Sequence, residues 1–198
     1  MILYLHGFTS GPQSKKAQAL ARRMAERGFA DRFLCPQLPA SPAAAIALAE
    51  ALLAQVGAGQ TAAVTLIGSS LGGYYATYLA ERHGLKAVLV NPAVVAALEL
   101  ERYLGPQTWV YTGERFEFTR AHLEELRHLE VPRLSDPVRY WLLVETGDEV
   151  LDYRAAVARY AGARQTVLEG GDHSFTRWED YLDEILVFAG LLRHNGRP

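Results

Sequence analysis

Six short apolar runs, separated by longer helix-like segments, constrain the fold more than any other feature of the sequence. Several of these runs lack the polar alternation of a half-exposed strand, which is typical of parallel strands covered by helices on both faces. The predicted strands are Ile2–Leu5, Arg32–Cys35, Ala62–Gly68, Ala87–Val90, Tyr140–Glu145 and Thr166–Leu168. Strands that alternate with helices predict an α/β fold with a parallel sheet and right-handed crossovers.

Signals for helix starts and stops lie between the predicted strands. Ser14 and Ser41 suit helix N-caps, Pro42 suits a first helical position, and Gly28 and Gly84 are typical of helix ends. The predicted helices are Ser14–Arg27, Ser41–Val56, Ser70–Arg82, Asp152–Tyr160 and Trp178–Arg193. We therefore expect about six parallel strands with helices on both faces, in one domain over residues 1–198.

The segment from about residue 92 to 137 interrupts this alternation without a convincing buried strand. Val94–Tyr103 and Thr119–Leu129 look helical, and an aromatic connection joins them. Its members are Trp109, Tyr111, Phe116 and Phe118. Because α/β proteins bind ligands at the carboxyl ends of their strands, we expect this insertion to be a helical lid over that edge. The alternative is a helical hairpin that only covers an edge of the sheet.

Composition narrows the classes of partner. Of the 198 residues, 49% are hydrophobic and 21% are charged, which excludes a mostly disordered chain. The net charge of -2 argues against nucleic acid or an anionic membrane as the main partner. We expect no membrane span, no metal and no cofactor, because the sequence has no long apolar run, no ligand spacing around His6, no P-loop and no dinucleotide fingerprint. Cys35 is the one cysteine, so a reducing cytoplasmic location is expected.

A G-x-S-x-G pattern, Gly68-Ser-Ser-Leu-Gly72, follows the third apolar run and precedes a helix-like segment. At a strand–turn–helix junction the central serine sits in a strained turn with its hydroxyl exposed. The two glycines let the neighbouring backbone pass without Cβ clashes. Ser70 is therefore the candidate nucleophile, and Ser69 is one position too early. The alternative is a tight turn in which the serine only caps the helix.

A serine hydroxyl needs a positioned base, and His173 is the histidine that follows the last predicted strand. The ends of parallel strands share one sheet edge, so His173 is expected beside Ser70. Asp148 and Asp152 both follow the preceding strand. We favour Asp148 as the acid, because Asp152 better suits the N-cap of the next helix. The chain order serine, aspartate, histidine is that of α/β-hydrolases.

The first strand ends in His6-Gly7-Phe8, where this fold supplies one donor of an oxyanion hole. The backbone N–H groups of Phe8 and Leu71 are the expected donors, and Gly7 lets the backbone approach the substrate. The large aromatic side chains near the elbow and in the insertion are expected to contact an acyl group. Those assigned to substrate binding are Tyr74, Trp109 and Phe116.

Segments spread along the whole chain resemble the YqiA-like esterase family of small bacterial single-domain α/β-hydrolases. They are Tyr4-Leu-His-Gly-Phe-Thr-Ser-Gly-Pro12, Gly68-Ser-Ser-Leu-Gly-Gly-Tyr-Tyr-Ala-Thr77, Val90-Asn-Pro-Ala93, Tyr111-Thr-Gly113, Thr146-Gly-Asp-Glu-Val-Leu-Asp-Tyr153 and Gly170-Gly-Asp-His-Ser-Phe175. The resemblance implies Ser70 as nucleophile, Asp148 as acid and His173 as base. It also implies hydrolysis of carboxylic esters, with acyl thioesters as plausible substrates.

The sequence therefore predicts a serine esterase that cleaves a small-molecule ester or thioester through an acyl-enzyme. Two alternatives use the same three residues, an acyl thioesterase and a small-peptide hydrolase. A non-catalytic binding protein on the same fold is a further alternative. A binding role would not require Ser70, Asp148, His173 and Gly7 together, which favours the enzyme.

Overall fold

The computed structural model describes residues 1–56 and 64–193. Six parallel strands form its central sheet, in the order β2-β1-β3-β4-β7-β8. These strands are β1 Ile2–Leu5, β2 Phe33–Leu34, β3 Thr65–Ser69, β4 Lys86–Val90, β7 Tyr140–Glu145 and β8 Arg164–Leu168. The predicted parallel sheet is confirmed, although the second strand is shorter than expected. The first two residues of the predicted strand Ala62–Gly68 lie outside the described residues.

Seven α-helices accompany the strands in the described part of the chain. They are α1 Lys15–Glu26, α2 Pro42–Gln55, α3 Leu71–His83, α4 Ala96–Glu99, α5 Arg120–His128, α6 Tyr153–Arg159 and α7 Leu182–Phe188. Short 3-10 turns cover Ala30–Arg32, Glu101–Tyr103, Pro137–Arg139 and Trp178–Tyr181. The predicted last helix, Trp178–Arg193, is therefore a 3-10 turn followed by a seven-residue α-helix.

Two apolar cores lie on opposite faces of the sheet, because successive strand residues point to opposite sides. Leu3 and Leu5 of β1 join the core beneath α2, α3 and α5. Ile2 and Tyr4 join the second core, beneath α1 and α7. Helices therefore cover both faces of the sheet, as expected, and the carboxyl ends of its strands meet at one open edge.

The insertion between β4 and β7 differs from the two helices expected there. Its first part holds the four-residue α4 and the 3-10 turn Glu101–Tyr103. An antiparallel hairpin of β5 Gly105–Thr108 and β6 Arg115–Phe118 follows, where the sequence indicated only an aromatic connection without a convincing buried strand. Exposed residues alternate with less exposed ones along both strands, so neither strand carries an apolar run. The helix predicted over Thr119–Leu129 is confirmed as α5, with Thr119 as its N-cap.

No helix in residues 1–56 and 64–193 combines the length and the apolar character that crossing a membrane requires. The same residues contain no group of three or more His, Cys, Asp or Glu side chains arranged to hold a metal ion.

Candidate active site

A cavity of about 780 Å³ opens at the carboxyl edge of the sheet. Ser70 and His173 both line it. The inserted segment contributes part of the wall through Leu100, Tyr103 and Tyr111. The cavity therefore lies where parallel α/β sheets place their ligands, between the strand ends and the segment that interrupts the strand–helix alternation.

Ser70 occupies a strained turn between β3 and α3. Its backbone has φ 54° and ψ -122°, a left-handed conformation that L side chains rarely adopt. Its hydroxyl makes no capping hydrogen bond to α3 although it occupies the N-cap position, so the alternative of a simple helix cap fails. Ser69, by contrast, is buried at the end of β3.

The glycines of the elbow are required by the close approach of α3 to the sheet. A Cβ on Gly68 would lie 2.2 Å from the carbonyl oxygen of Gly72. A Cβ on Gly72 would lie 2.0 Å from the carbonyl oxygen of Leu5. Real Cβ atoms do not approach backbone this closely, so any side chain at either position would push the helix away from the strand and displace Ser70.

A relay of hydrogen bonds joins three side chains at this edge. Nε2 of His173 lies 3.1 Å from Oγ of Ser70. Nδ1 of His173 lies 2.8 Å from Oδ2 and 2.9 Å from Oδ1 of Asp148. Since a carboxylate oxygen only accepts, Nδ1 carries the proton and Nε2 is free to accept one from the serine hydroxyl. The structure thus brings together all three residues that the sequence nominated.

Asp148 is held ionised and fixed in place. Its side chain is 2% exposed, and Oδ1 also accepts hydrogen bonds of 2.9 Å from the backbone N–H groups of Val150 and Leu151. Burial alone would raise the pKa of this carboxyl, but the hydrogen bond from His173 and the two backbone donors hold the pKa below its usual value. Asp152 instead accepts from the N–H of Arg154 and caps α6, as the sequence indicated.

The first strand delivers Gly7 and Phe8 to the opposite side of Ser70. A Cβ on Gly7 would lie 3.2 Å from Cβ and 3.7 Å from Oγ of Ser70, so the backbone passes directly beside the hydroxyl. Neither Phe8 nor Leu71 donates its backbone N–H to an acceptor within the described residues. Two uncommitted N–H groups beside a serine hydroxyl are what an oxyanion hole needs.

A family model, described as an uncharacterised protein family (UPF0227), matches residues 1–190 of this chain. The chain belongs to family UPF0227. This is the YqiA-like esterase family that the sequence segments indicated.

Solved structures similar to this UPF0227 chain share its fold. A putative hydrolase from Agrobacterium vitis superposes with a TM-score of 0.71 at 20% identity, covering 95% of this chain and 87% of the other. A monoacylglycerol lipase from Paleococcus ferrophilus superposes with a TM-score of 0.70 at 16% identity, covering 95% of this chain and 93% of the other. The esterase domain of a Rhodothermus marinus protein superposes with a TM-score of 0.62 at 20% identity, covering 96% of this chain and 84% of the other. At these identities the likeness shows the fold, and the α/β-hydrolase fold is confirmed.

None of the three expected substrate-binding aromatics, Tyr74, Trp109 and Phe116, lines the cavity around Ser70. Tyr74 is buried within the core, where its hydroxyl donates a 2.9 Å hydrogen bond to the carbonyl of Leu126. Phe116 packs against Phe8 and Trp109, with ring centroids 6.0 Å and 4.7 Å away. Tyr74 therefore lies in the core and Phe116 packs with Phe8 and Trp109, and their assignment to substrate binding stays a prediction.

The expected contacts Trp109 and Gly7 line a second, smaller space. Trp109 does not line the main cavity. It lines a narrow cleft beside the turn that follows β1, together with His6 and Phe8 of that turn. Gly7 lines both spaces. Tyr103, which the sequence did not single out, faces the main cavity and packs on Phe8 with ring centroids 5.7 Å apart.

Two polar residues that the sequence did not single out hold the loop of residues 169–177, which carries His173 and is called the histidine loop below. Asn91, at the end of β4, donates to the carbonyls of Asp172 and His173 at 3.0 and 3.2 Å. Its Oδ1 accepts from the N–H of Glu145 at 3.0 Å, which ties three strand ends together. A polar residue directly after a buried strand was the signal that could have identified Asn91.

Glu145 is the second of these residues, and its side chain is fully buried at the end of β7. It accepts hydrogen bonds from the N–H groups of Asp172 and Thr176, and from Nε of Arg177 at 2.9 Å. Burial alone would raise its pKa, but the Arg177 hydrogen bond and the backbone donors hold the pKa below its usual value. The carboxylate therefore fixes the loop that carries His173.

Glu145→Gln should lower the free energy of unfolding by about 2 to 4 kcal/mol at pH 7, because the buried donors lose their charged acceptor. A carboxyl whose pKa is depressed by folding stabilises the protein above its unfolded-state pKa of about 4.3, and this contribution is lost as the pH falls through the lower folded pKa. The difference from wild type should therefore shrink between about pH 5 and pH 3. Urea unfolding at several pH values measures it.

The exposed Glu169, at the end of the neighbouring strand, is the matched control. Glu169→Gln should change the free energy of unfolding by less than about 0.5 kcal/mol at any pH. Equal effects of the two substitutions would show that Glu145 does not hold the loop.

Proposed function

We propose that this chain is a serine hydrolase that cleaves carboxylic esters through an acyl-enzyme intermediate. The observation that carries the proposal is the Ser70–His173–Asp148 relay, with its serine on a strained elbow in a cavity wall. A serine that served only as a cap or a core hydroxyl would need neither the relay nor the strain. A buried carboxylate behind the histidine fits a base that must become a cation during the reaction.

In the acylation step, Oγ of Ser70 attacks the carbonyl carbon of the ester while Nε2 of His173 takes the hydroxyl proton. The carbonyl π electrons move to the oxygen, and the N–H groups of Phe8 and Leu71 stabilise the resulting oxyanion. The intermediate collapses, the carbon–oxygen bond to the alcohol breaks, and His173 gives its proton to the leaving oxygen. Ser70 then carries the acyl group as an ester.

Deacylation repeats these steps with water as the nucleophile. His173 takes a proton from the water, whose oxygen attacks the acyl carbon. The oxyanion forms in the same place, the bond to Oγ of Ser70 breaks, and the proton on Nε2 returns to Oγ. The acid leaves, and the enzyme is restored. Asp148 stays ionised throughout and stabilises the imidazolium in both halves of the cycle.

The cavity favours a substrate with an apolar acyl group. Leu100, Tyr103 and Leu151 line it beside Ser70, and an apolar chain packed against them gains about 25 cal/mol for each Å² removed from water. The small-molecule ester is the expected partner. A cytoplasmic location stays a prediction that rests on Cys35 as the one cysteine.

The experiment measures kcat/KM of the wild-type protein on esters, thioesters and anilides that carry the same acyl groups. p-Nitrophenyl esters of graded acyl length should be hydrolysed, with kcat/KM rising from acetate to a medium-length chain. Acyl thioesters and peptide anilides of the same acyl groups test the two alternative activities. Turnover of the anilides alone would replace the ester proposal with a peptide hydrolase, and turnover of none of these substrates would contradict a hydrolase.

Tyr103→Ala should flatten the preference for a medium acyl chain over a short one by about fivefold in kcat/KM. Its ring faces the cavity, and losing the ring removes about 1 kcal/mol of apolar contact. Phe116→Ala is the matched control, because Phe116 packs on Phe8 from outside the cavity. It should lower stability and leave the ratio unchanged. A ratio altered only by Phe116→Ala would restore the sequence-based assignment.

A further inference from the structure

A lysine lies beside the histidine loop, in the wall of the same cavity. Lys16 belongs to the first turn of α1, and its Nζ donates a 2.7 Å hydrogen bond to the carbonyl of Ser174. Trp178 donates its indole N–H to the carbonyl of Lys16 at 2.9 Å, which fixes the backbone at this point. The ammonium group is therefore held next to the residue that follows His173.

The position is unfavourable for a lysine as far as the helix is concerned. The N-terminus of a helix carries a partial positive charge, so acidic residues stabilise the first turn and basic ones destabilise it. The first turn of α1 has two lysines, Lys15 and Lys16, and no acidic residue. Lys16 is therefore unfavourable for the stability of α1, and it lies in the wall of the candidate active-site cavity. This combination indicates that its positive charge serves a purpose other than helix stability.

No carboxylate in residues 1–56 and 64–193 lies within 4.0 Å of the Lys16 ammonium. The carboxylates around it are committed elsewhere, Asp148 to His173, Glu145 to Arg177 and Asp172 to the N–H of Ser174. Burial lowers the pKa of Lys16 to about 8, against the opposing effect of these three carboxylates. Its ammonium donates one hydrogen bond within the described residues, which leaves two of its three N–H donors available there.

The side of the cavity on which Lys16 lies determines which part of a substrate it can meet. His173 must pass its proton to the oxygen of the leaving alcohol, so that alcohol lies against His173, which precedes Ser174 in the chain. The ammonium of Lys16 lies beside Ser174. The ammonium therefore faces the leaving group. Leu100 and Tyr103, which belong to the inserted segment, are assigned to the acyl group instead.

We propose that Lys16 forms an anion subsite on the leaving-group side, which selects esters whose alcohol portion carries a carboxylate or a phosphate. This inference rests on the proposed function, because the leaving-group side is defined by the role of His173. A charge-assisted hydrogen bond to a substrate anion would give the ammonium an ion-pair partner that the described part of the chain does not provide.

The experiment compares leaving groups that differ in charge and share one acyl group. 4-Acetoxybenzoate carries a carboxylate, 4-acetoxyphenyl phosphate carries a phosphate, and methyl 4-acetoxybenzoate is neutral. Lys16→Met should lower kcat/KM for one or both anionic esters by about 10- to 100-fold relative to the neutral ester. Differences in intrinsic reactivity cancel when the ratio is compared between enzymes. The anion whose ratio falls further identifies the preferred group.

Two further variants separate the subsite from structural support of the loop. Lys16→Arg keeps the charge and should retain most of the preference for the anionic ester. Lys15→Met removes an exposed cation next to Lys16 in the same cavity wall and should leave the ratio within about twofold. If Lys16 only supported the loop through Ser174, Lys16→Met would slow all three esters equally.

The pH dependence of the ratio is the second readout. An ammonium is charged below its pKa, so the wild-type preference for the anionic ester should be present below about pH 8 and lost above it. In Lys16→Met the ratio should be constant from about pH 6.5 to 9.5. Any effect on the chemical steps that the three esters share reaches all of them alike and cancels in the ratio. The charged or titratable groups that face this region are Lys15, Glu145, Asp148, Asp172, His173 and Glu179.

An anionic-to-neutral ratio that is the same in wild type and in Lys16→Met would overturn the subsite, and so would a ratio that changes equally in Lys15→Met. A preference that appears only when the anion is placed on the acyl portion, as in a succinate monoester, would overturn its assignment to the leaving group. In each of these cases the neutral ester is still hydrolysed. If the wild-type protein hydrolyses no ester, the proposed function itself has failed.

Discussion

Ser70→Ala is expected to lower kcat for ester hydrolysis by about 10⁴- to 10⁶-fold. The substitution removes the one atom that attacks the substrate, and only binding and the oxyanion hole remain. Alanine keeps the Cβ, although the strained backbone at φ 54° still has to be held by the elbow. The melting temperature should therefore change by only a few degrees. Steady-state kinetics with a p-nitrophenyl ester and a thermal melt measure the two effects separately.

Ser69→Ala is the matched control, since Ser69 is adjacent and also a serine. Its side chain is buried, and it takes no part in the hydrogen bonds that join Ser70, His173 and Asp148. Activity should stay within about tenfold of wild type, with a modest loss of stability. An inactive Ser69→Ala with an active Ser70→Ala would identify Ser69 as the nucleophile.

Asp148→Asn is expected to lower kcat by about 10⁴-fold while the protein stays folded. An asparagine can present its amide N–H to Nδ1 of His173, which then becomes the acceptor and leaves the proton on Nε2. In that tautomer His173 cannot accept the hydroxyl proton of Ser70. The loss should fall on kcat rather than KM, because Asp148 is nearly inaccessible to the cavity.

Asp152→Asn is the matched control. It shows whether the loss of kcat in Asp148→Asn is specific or comes from general damage to the turn after β7. Asp152 caps α6 through the N–H of Arg154, so the change should cost at most about 1 kcal/mol of stability and little activity. If Asp152→Asn abolished activity without lowering the melting temperature, Asp152 would be the acid and the proposed relay would be incorrect.

The sheet and the positions of the candidate triad could be predicted because both depend on short-range patterns. A strand covered on both faces must be apolar along most of its length, as residues 87–90 of β4 and 140–144 of β7 are. The carboxyl ends of such strands share one edge, which places the segments after β3, β7 and β8 together. Ser70, Asp148 and His173 follow from that geometry, and the glycine contacts of the elbow explain why its motif is so restrictive.

The hairpin of β5 and β6 could not be predicted by the same reasoning. Its strands are mostly exposed and carry Pro106, Arg115 and Glu117, so no apolar run marks them. What holds them is tertiary, since Val110 at the hairpin turn donates its N–H to the carbonyl of Thr9 at 2.9 Å. The direction of the Tyr74 and Phe116 rings depends equally on packing that only the folded chain defines.

Asn91, Glu145 and Lys16 show a different limit. Each acts through partners far away in the chain, such as the 81 positions between Asn91 and Asp172. Residue type alone marks Glu145 as an acid at the end of a strand, and says nothing of the three neighbouring groups that it holds. The candidate nucleophile, base and acid have sequence signatures because their chemistry restricts residue type. The groups that position them leave weaker signals, such as the polar residue directly after a buried strand at Asn91.

The most direct test of the central claim is covalent labelling with a fluorophosphonate, which reacts with a serine only when a neighbouring base and oxyanion hole activate it. The wild-type protein should gain one adduct by intact-protein mass spectrometry, and peptide mapping should place it on Ser70. Ser69→Ala should label like wild type, while Ser70→Ala and His173→Ala should not label. An unlabelled wild-type protein that is folded, or an adduct on any other residue, would contradict a catalytic Ser70.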